Sequence, residues 1–145
     1  MAYITKYMVR GFMHEFSTMQ MILETVLNAA KGHGAERVLE VNLDIGQLTF
    51  LNPEQLRFAF SVLSKGTMAE NARLHIRRVQ PRIKCPKCGY QGPVKYDGPE
   101  YHLLGVPLPL KCGRCGSAEL EIKAGRECSI RGIKVRVPKE RQGEA

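Results

Sequence analysis

Between Glu15 and Lys31 the apolar positions are Phe16, Met19, Ile22, Leu23, Val26, Leu27 and Ala30. Steps of three and four place them on one side of an amphipathic helix, which Gly32 and Gly34 end. Met19 and Met21 read as core packing rather than thioether metal donors, and His33, between the two glycines, as an exposed loop residue. The period then changes to two. Leu39, Val41, Leu43 and Ile45 alternate with Glu40, Asn42 and Asp44, which predicts a half-buried strand ending at Gly46. Asn52-Pro53-Glu54-Gln55 reads as a second helix start: Asn52 caps, Pro53 takes the first helical position, and Gln55 stands where a capping-box side chain reaches back. Leu56, Ala59, Phe60 and Leu63 form its expected buried face, widened by Phe58 and Val62, and Gly66 closes it. A second strand is expected over Arg73–Val79, with Leu74 and Ile76 inward and His75 outward. A third follows Ile133, Val135 and Val137 to Pro138.

Ile83–Lys123 has a different texture, holding four of the five cysteines and five of the eight prolines in short turns. The fold class expected is α+β: a small sheet of about three strands with two helices, plus an inserted zinc-ribbon-like module. Residues 1–82, completed by the C-terminal strand 124–138, are expected to form an α/β domain. Residues 83–123 form the zinc module and 139–145 a disordered tail. A chain of 145 residues suits one domain with a small accessory module. No run approaches the ~20 apolar residues of a membrane span. Met1–Phe12 lacks the apolar stretch of a signal peptide, so a cytoplasmic location is expected. The net charge of +8 is uneven: Met13–Asn71 has 4 basic and 7 acidic residues, Ala72–Ala145 has 16 and 7.

The strongest chemical signal is the pair Cys85-Pro-Lys-Cys88-Gly89 and Cys112-Gly-Arg-Cys115-Gly116, with 23 residues between the pairs. Two intervening residues let one tight turn aim both sulfurs at a point, and a glycine after each second cysteine supplies a positive φ. Two such knuckles offer four thiolates to a tetrahedral Zn²⁺ and leave no open position, so the site is structural. Lys84, Lys87, Lys111 and Arg114 flank the knuckles and offset the negative charge of a four-thiolate zinc centre. Cys128 has no such partner and reads as a buried apolar thiol. Within the excursion between the knuckles, Leu103–Leu110 is an apolar stretch that packs over the knuckles or meets a partner, and His102 is a conceivable auxiliary metal ligand.

Met13-His14-Glu15 stands at the start of the first helix. With Met13 as the first residue, its amine, the amide and imidazole of His14 and the amide of Glu15 would make a nitrogen square, which suits Ni(II) or Cu(II) rather than zinc. This tripeptide, the segments Ile45-Gly46-Gln47-Leu48 and Leu56-Arg57-Phe58-Ala59-Phe60, then Gly66-Thr67 and Ala69-Glu70-Asn71-Ala72, then the two knuckles and a short C-terminal strand, together resemble the HypA-type hydrogenase maturation proteins over about Met13–Pro138. The resemblance implies a nickel metallochaperone that binds Ni²⁺ at His14 with Glu15 beside it. It implies structural zinc at Cys85, Cys88, Cys112 and Cys115. It also implies delivery of nickel to the large subunit of a [NiFe]-hydrogenase alongside a nickel-insertion GTPase. The amine-based chelate leads us to expect that the nickel-competent protein begins at Met13.

No Ser/His/Asp or Cys/His arrangement, P-loop or open zinc site is present in the sequence, so a carrier rather than an enzyme is expected. The alternative is a zinc-ribbon nucleic-acid-binding protein. Arg73–Lys87 carries six basic residues and no acid, a stripe able to track phosphates. Few aromatics stand in the zinc module to stack bases, which disfavours it.

Overall fold

The computed structural model describes residues 2–8, 15–94 and 110–139. Its elements in chain order are β1 (Ala2–Met8), α1 (Glu15–Gly32), β2 (Arg37–Gly46), a 3-10 turn (Gln47–Thr49), α2 (Pro53–Leu63), β3 (Arg73–Val79), β4 (Arg82–Lys84), β5 (Gln91–Pro93), β6 (Glu121–Ala124) and β7 (Cys128–Arg136). They divide into two compact units: Met1–Asp44 with Leu51–Arg77 and Cys128–Ala145, and Ile45–Phe50 with Arg78–Glu127. No described helix is long and apolar enough to cross a membrane.

In the first unit the strands lie in the order β1-β7-β2-β3. The helix α1 packs against α2 and touches β1 and β7. Met19, Ile22, Leu23 and Val26 from α1, Leu56, Ala59 and Phe60 from α2, Val38, Val41 and Leu43 from β2, and Ile130, Ile133 and Val135 from β7 are all buried. This is the helical three-to-four spacing and the strand alternation acting as the sequence predicts. Some positions differ. Phe16, on the expected apolar side of α1, is 43% exposed. Val38 is buried and Leu39 only half-buried, the alternation being interrupted before Val41; the start of β2 is also tied to the turn after α2, where Val38 N–H donates to Met68 O at 2.9 Å. Phe58 and Val62 do not widen the buried face of α2; they are 62% and 40% exposed. At about 100° per residue, Phe58 lies about 200° round the helix from Leu56. Strand β7 begins at Cys128, five residues before the alternation that predicts it, since Ser129, Arg131 and Gly132 dilute the apolar signal.

The fourth strand of this sheet, β1, comes from a segment without an expected element. It runs antiparallel to β7 with Ala2 opposite Val135, Ile4 opposite Ile133 and Tyr7 opposite Ile130. Tyr3, Ile4, Thr5 and Tyr7 are strand-favouring residues, but seven residues hold too few periods to stand out. Residues 140–145, most of the expected disordered tail, lie outside the described residues.

The second unit contains a three-stranded antiparallel sheet ordered β5-β4-β6. Ile83 of β4 lies opposite Gly92 on one side and Ile122 on the other. Ile45, Leu48, Ile83 and Leu110 are buried in this unit, and Phe50, Val94, Leu120 and Ile122 pack against Leu48 and Leu110. Ile45–Phe50 joins through main-chain bonds: Gly46 N–H donates to Glu127 O at 2.7 Å and Leu48 N–H to Gly125 O at 2.8 Å.

Candidate metal centre

Each cysteine pair builds the same small loop. Gly89 N–H donates to Cys85 O and Gly116 N–H to Cys112 O, both at 2.9 Å; Cys85 N–H donates to Tyr90 O at 2.8 Å and Cys112 N–H to Ser117 O at 2.9 Å. Gly89 (φ 81°) and Gly116 (φ 76°) occupy the left-handed conformation that this turn needs. The loops therefore present their sulfurs on one side, and the sulfurs of Cys85, Cys88, Cys112 and Cys115 all lie within 4.8 Å of one another. The short contacts run between loops, Cys85 Sγ to Cys115 Sγ at 3.6 Å and Cys88 Sγ to Cys112 Sγ at 3.7 Å. Four sulfurs at ~2.3 Å from a tetrahedral Zn²⁺ stand about 3.8 Å apart, so this donor set fits zinc. Cys85 and Cys112 are buried, Cys88 half-buried and Cys115 exposed.

At Cys112 and Cys85 the turn geometry also favours thiolate. Backbone N–H groups of Cys115 and then Arg114 lower the Cys112 thiol to about 6, outweighing desolvation, and Cys88 N–H lowers Cys85 in the same way. Cys88 is pushed the other way, up to about 11, where desolvation and the neighbouring thiols outweigh the lowering hydrogen bond from Tyr90 N–H. Charge so crowded cannot sit on all four sulfurs without a cation. A dication removes that conflict and, when bound, supplies the cross-link between the two loops.

Cys128 is not part of this group. It is buried at the start of β7, and desolvation raises its thiol to about 11, the behaviour of a small apolar side chain.

Of the expected nickel residues, Met13, His14 and the auxiliary His102 lie outside the described residues, as does most of Leu103–Leu110. Glu15 opens α1, and its Oε1 accepts the backbone N–H of Asn52 at 3.1 Å. Asn52 caps α2 as expected, its Oδ1 accepting from Glu54 N–H at 2.9 Å and Gln55 N–H at 3.3 Å. The reach-back role expected of Gln55 is filled by Glu15 instead. One residue on, the rings of Phe16 and Phe58 meet edge-to-face at 6.1 Å. No local sequence pattern signals either contact, because their partners are about forty residues apart.

The basic stripe is partly neutralised in place. Arg77 forms a two-pronged ion pair with Asp44 at 2.9 and 2.7 Å, and Arg131 reaches the same carboxylate at 3.4 Å. Cations paired in this way are poorly placed to follow a phosphate backbone.

Among known proteins, the family model described as hydrogenase/urease nickel incorporation, metallochaperone, hypA matches residues 13–135. The hydrogenase maturation factor HypA of Methanothermobacter thermautotrophicus is 45% identical over 123 residues, 85% of this chain and 97% of the relative. That of Methanopyrus kandleri is 41% identical over 141 residues, 91% and 99% of the two chains. In fold, the chain is similar to the solution structure of the Ni metallochaperone HypA from Helicobacter pylori, with a TM-score of 0.60 at 19% identity over 87% of this chain and all of that one. Four converging thiols in paired knuckles, carried between helix-and-sheet elements that one family model spans almost end to end, leave a single conclusion: the chain belongs to the HypA family of nickel-incorporation metallochaperones.

Proposed function

We propose that this protein carries Ni²⁺ on the imidazole of His14 and the backbone nitrogens around it, including that of Glu15, and hands it to the large subunit of a [NiFe]-hydrogenase with a nickel-insertion GTPase. It works in the cytoplasm and as a carrier, not an enzyme. The observation that carries this reading is the match of the nickel-incorporation family over residues 13–135, which begins at Met13-His14-Glu15. Zinc on Cys85, Cys88, Cys112 and Cys115 plays a separate, structural part, since four thiolates leave it no open position. Nickel transfer is then a ligand exchange: nitrogen donors at a helix start release the ion one by one to the acceptor's stronger ligands.

The test is metal analysis of purified protein with and without added Ni²⁺. Wild type is expected to hold one zinc and take up one nickel; His14→Ala is expected to keep the zinc and lose the nickel. Nickel binding is expected to weaken as pH falls through the imidazole range, because protons compete for the same nitrogens. Undiminished nickel uptake by His14→Ala overturns the reading.

A further inference from the structure

We propose that Cys115 is an oxidation site: hydrogen peroxide converts its thiolate to a sulfenic acid, and Cys85 then closes a disulfide with it across the two knuckles, which opens the metal cage. This rests on the zinc reading of the four-cysteine cluster and is independent of where nickel binds. The four sulfurs share one centre but not one environment. Cys85 and Cys112 are 0% and 3% exposed and Cys88 is half-buried, whereas Cys115 is exposed. Gly113, Arg114 and Gly116 around it are exposed as well, and a Cβ added to either glycine would meet nothing within 4 Å. A small oxidant in water therefore reaches this sulfur without any opening of the fold. Arg114 adjoins it in the chain and Lys111 stands at the other end of the same turn, both exposed. Accessible cysteines in electropositive surroundings are the reactive ones, and buried structural ones are inert.

Distance selects the second sulfur. Cys85 Sγ, on the other knuckle, stands 3.6 Å from Cys115 Sγ. Each knuckle holds its own two cysteines in a closed main-chain frame, in the second through Gly116 N–H on Cys112 O and Cys112 N–H on Ser117 O. A bridge between knuckles asks only that two sulfurs close to about 2.0 Å; a bridge within one knuckle works against its turn. In the first step the Cys115 sulfur attacks one peroxide oxygen. The S–O bond forms, the O–O bond breaks, the sulfur is oxidised by two electrons, and the second oxygen leaves as hydroxide and takes a proton from solvent. In the second, the Cys85 thiolate attacks the Cys115 sulfur. The S–S bond forms, the S–O bond breaks, and the departing hydroxide is protonated to water. Two thiolates, one peroxide and two protons thus give one disulfide and two waters. Only Cys88 and Cys112 remain as donors, too few to close a tetrahedral site, and the ion is released. Reduction by a thiol restores both thiolates, so the change is reversible.

The experiment treats zinc-loaded, full-length protein with hydrogen peroxide and follows zinc release with a chromogenic chelator. A parallel sample contains dimedone, which traps sulfenic acid. Trypsin cuts after Lys87 and Arg114, between the two cysteines of each knuckle, so a peptide map without reductant separates a bridge across the knuckles from one within a knuckle. Wild type is expected to lose its zinc, to show Cys85 linked to Cys115, and to carry the dimedone adduct on Cys115. Cys128, buried at 4% exposure, is expected to stay a free thiol, and dithiothreitol with added zinc to restore the bound metal. Cys115→His keeps four donors of a kind that structural zinc accepts. It is expected to release zinc about 10-fold more slowly, its remaining sulfurs being shielded. Where that variant fails to hold zinc, the wild-type adduct and peptide map decide alone. A first adduct on Cys85, Cys88 or Cys112 overturns the proposal, as does a first bridge within one knuckle or zinc retained while methionines become sulfoxides. Protein that carries no zinc before peroxide is added overturns the zinc reading itself, an outcome distinct from these.

Discussion

A thiol in this chain is shaped by what surrounds its sulfur. Cys112 and Cys128 are both buried, yet backbone N–H groups lower the first to about 6 and unrelieved desolvation raises the second to about 11. Opposite behaviour is expected on substitution. Exchanging Cys85 and Cys88 together for Ser is expected to abolish zinc binding, read by metal analysis, and to loosen the segment 83–123. Cys128→Ala is expected to keep one zinc and cost only about 1 kcal/mol in thermal or denaturant unfolding. It is also expected to flatten the alkaline limb of stability. The raised thiol keeps its proton in the folded state up to about pH 11, whereas the unfolded thiol ionises near its ordinary 9. The contribution is therefore complete below pH 9 and is lost as pH rises to 11, at most about 1.4 kcal/mol per pH unit. The unfolding free energies of wild type and Cys128→Ala, compared between pH 8 and 11, check the sign.

Among the elements, the two helices follow from periodicity and caps, and the ladders follow from partners. Asn52→Ala is expected to cost about 1 kcal/mol, the worth of an N-cap, measured by chemical denaturation. The strand β1 is a different case. Among the described residues only β7 pairs with it, and Ile4 is its one described buried side chain. Ile4→Asp is expected to undock β1 and speed hydrogen exchange of the β7 amides facing it, while α1 and α2 keep their protection, because a terminal strand opens locally rather than with the whole unit. Its presence also changes how Met1–Phe12 is understood. Ala2–Met8 within it is a strand of the sheet, paired with β7. The short strands β4, β5 and β6 were hidden for another reason: three or four residues hold too little alternation to stand out from their surroundings.

Over the whole molecule, metal and polypeptide share the work of stabilisation. Among the described residues the zinc-binding unit buries few large apolar side chains, Ile45, Leu48, Ile83 and Leu110, so removing zinc with a chelator is expected to unfold that unit. The helical signal in circular dichroism, which comes from α1 and α2 in the other unit, is expected to survive. The same unit depends on a close main-chain approach. A Cβ on Gly46 would overlap the carbonyl of Gly125. Gly46→Ala is accordingly expected to destabilise by about 1–3 kcal/mol, seen as zinc released at lower denaturant concentration.

What the sequence determined by itself was everything set by short-range pattern: α1 and α2, the strand alternation at Val41–Ile45, the Asn52 cap, and both cysteine knuckles with their left-handed glycines. A turn of four residues fixes its own sulfurs, so two such turns point to one ion before any tertiary contact is known. Only the tertiary structure decided the rest. It paired β1 with β7, put Ile45–Phe50 with the knuckles, moved Phe58 and Val62 to the surface, and gave the Asn52 N–H to Glu15 instead of Gln55. Each of these joins residues far apart in the chain or chooses between faces of similar polarity, and local periodicity carries no information about which distant partner will supply a hydrogen bond or a covering surface.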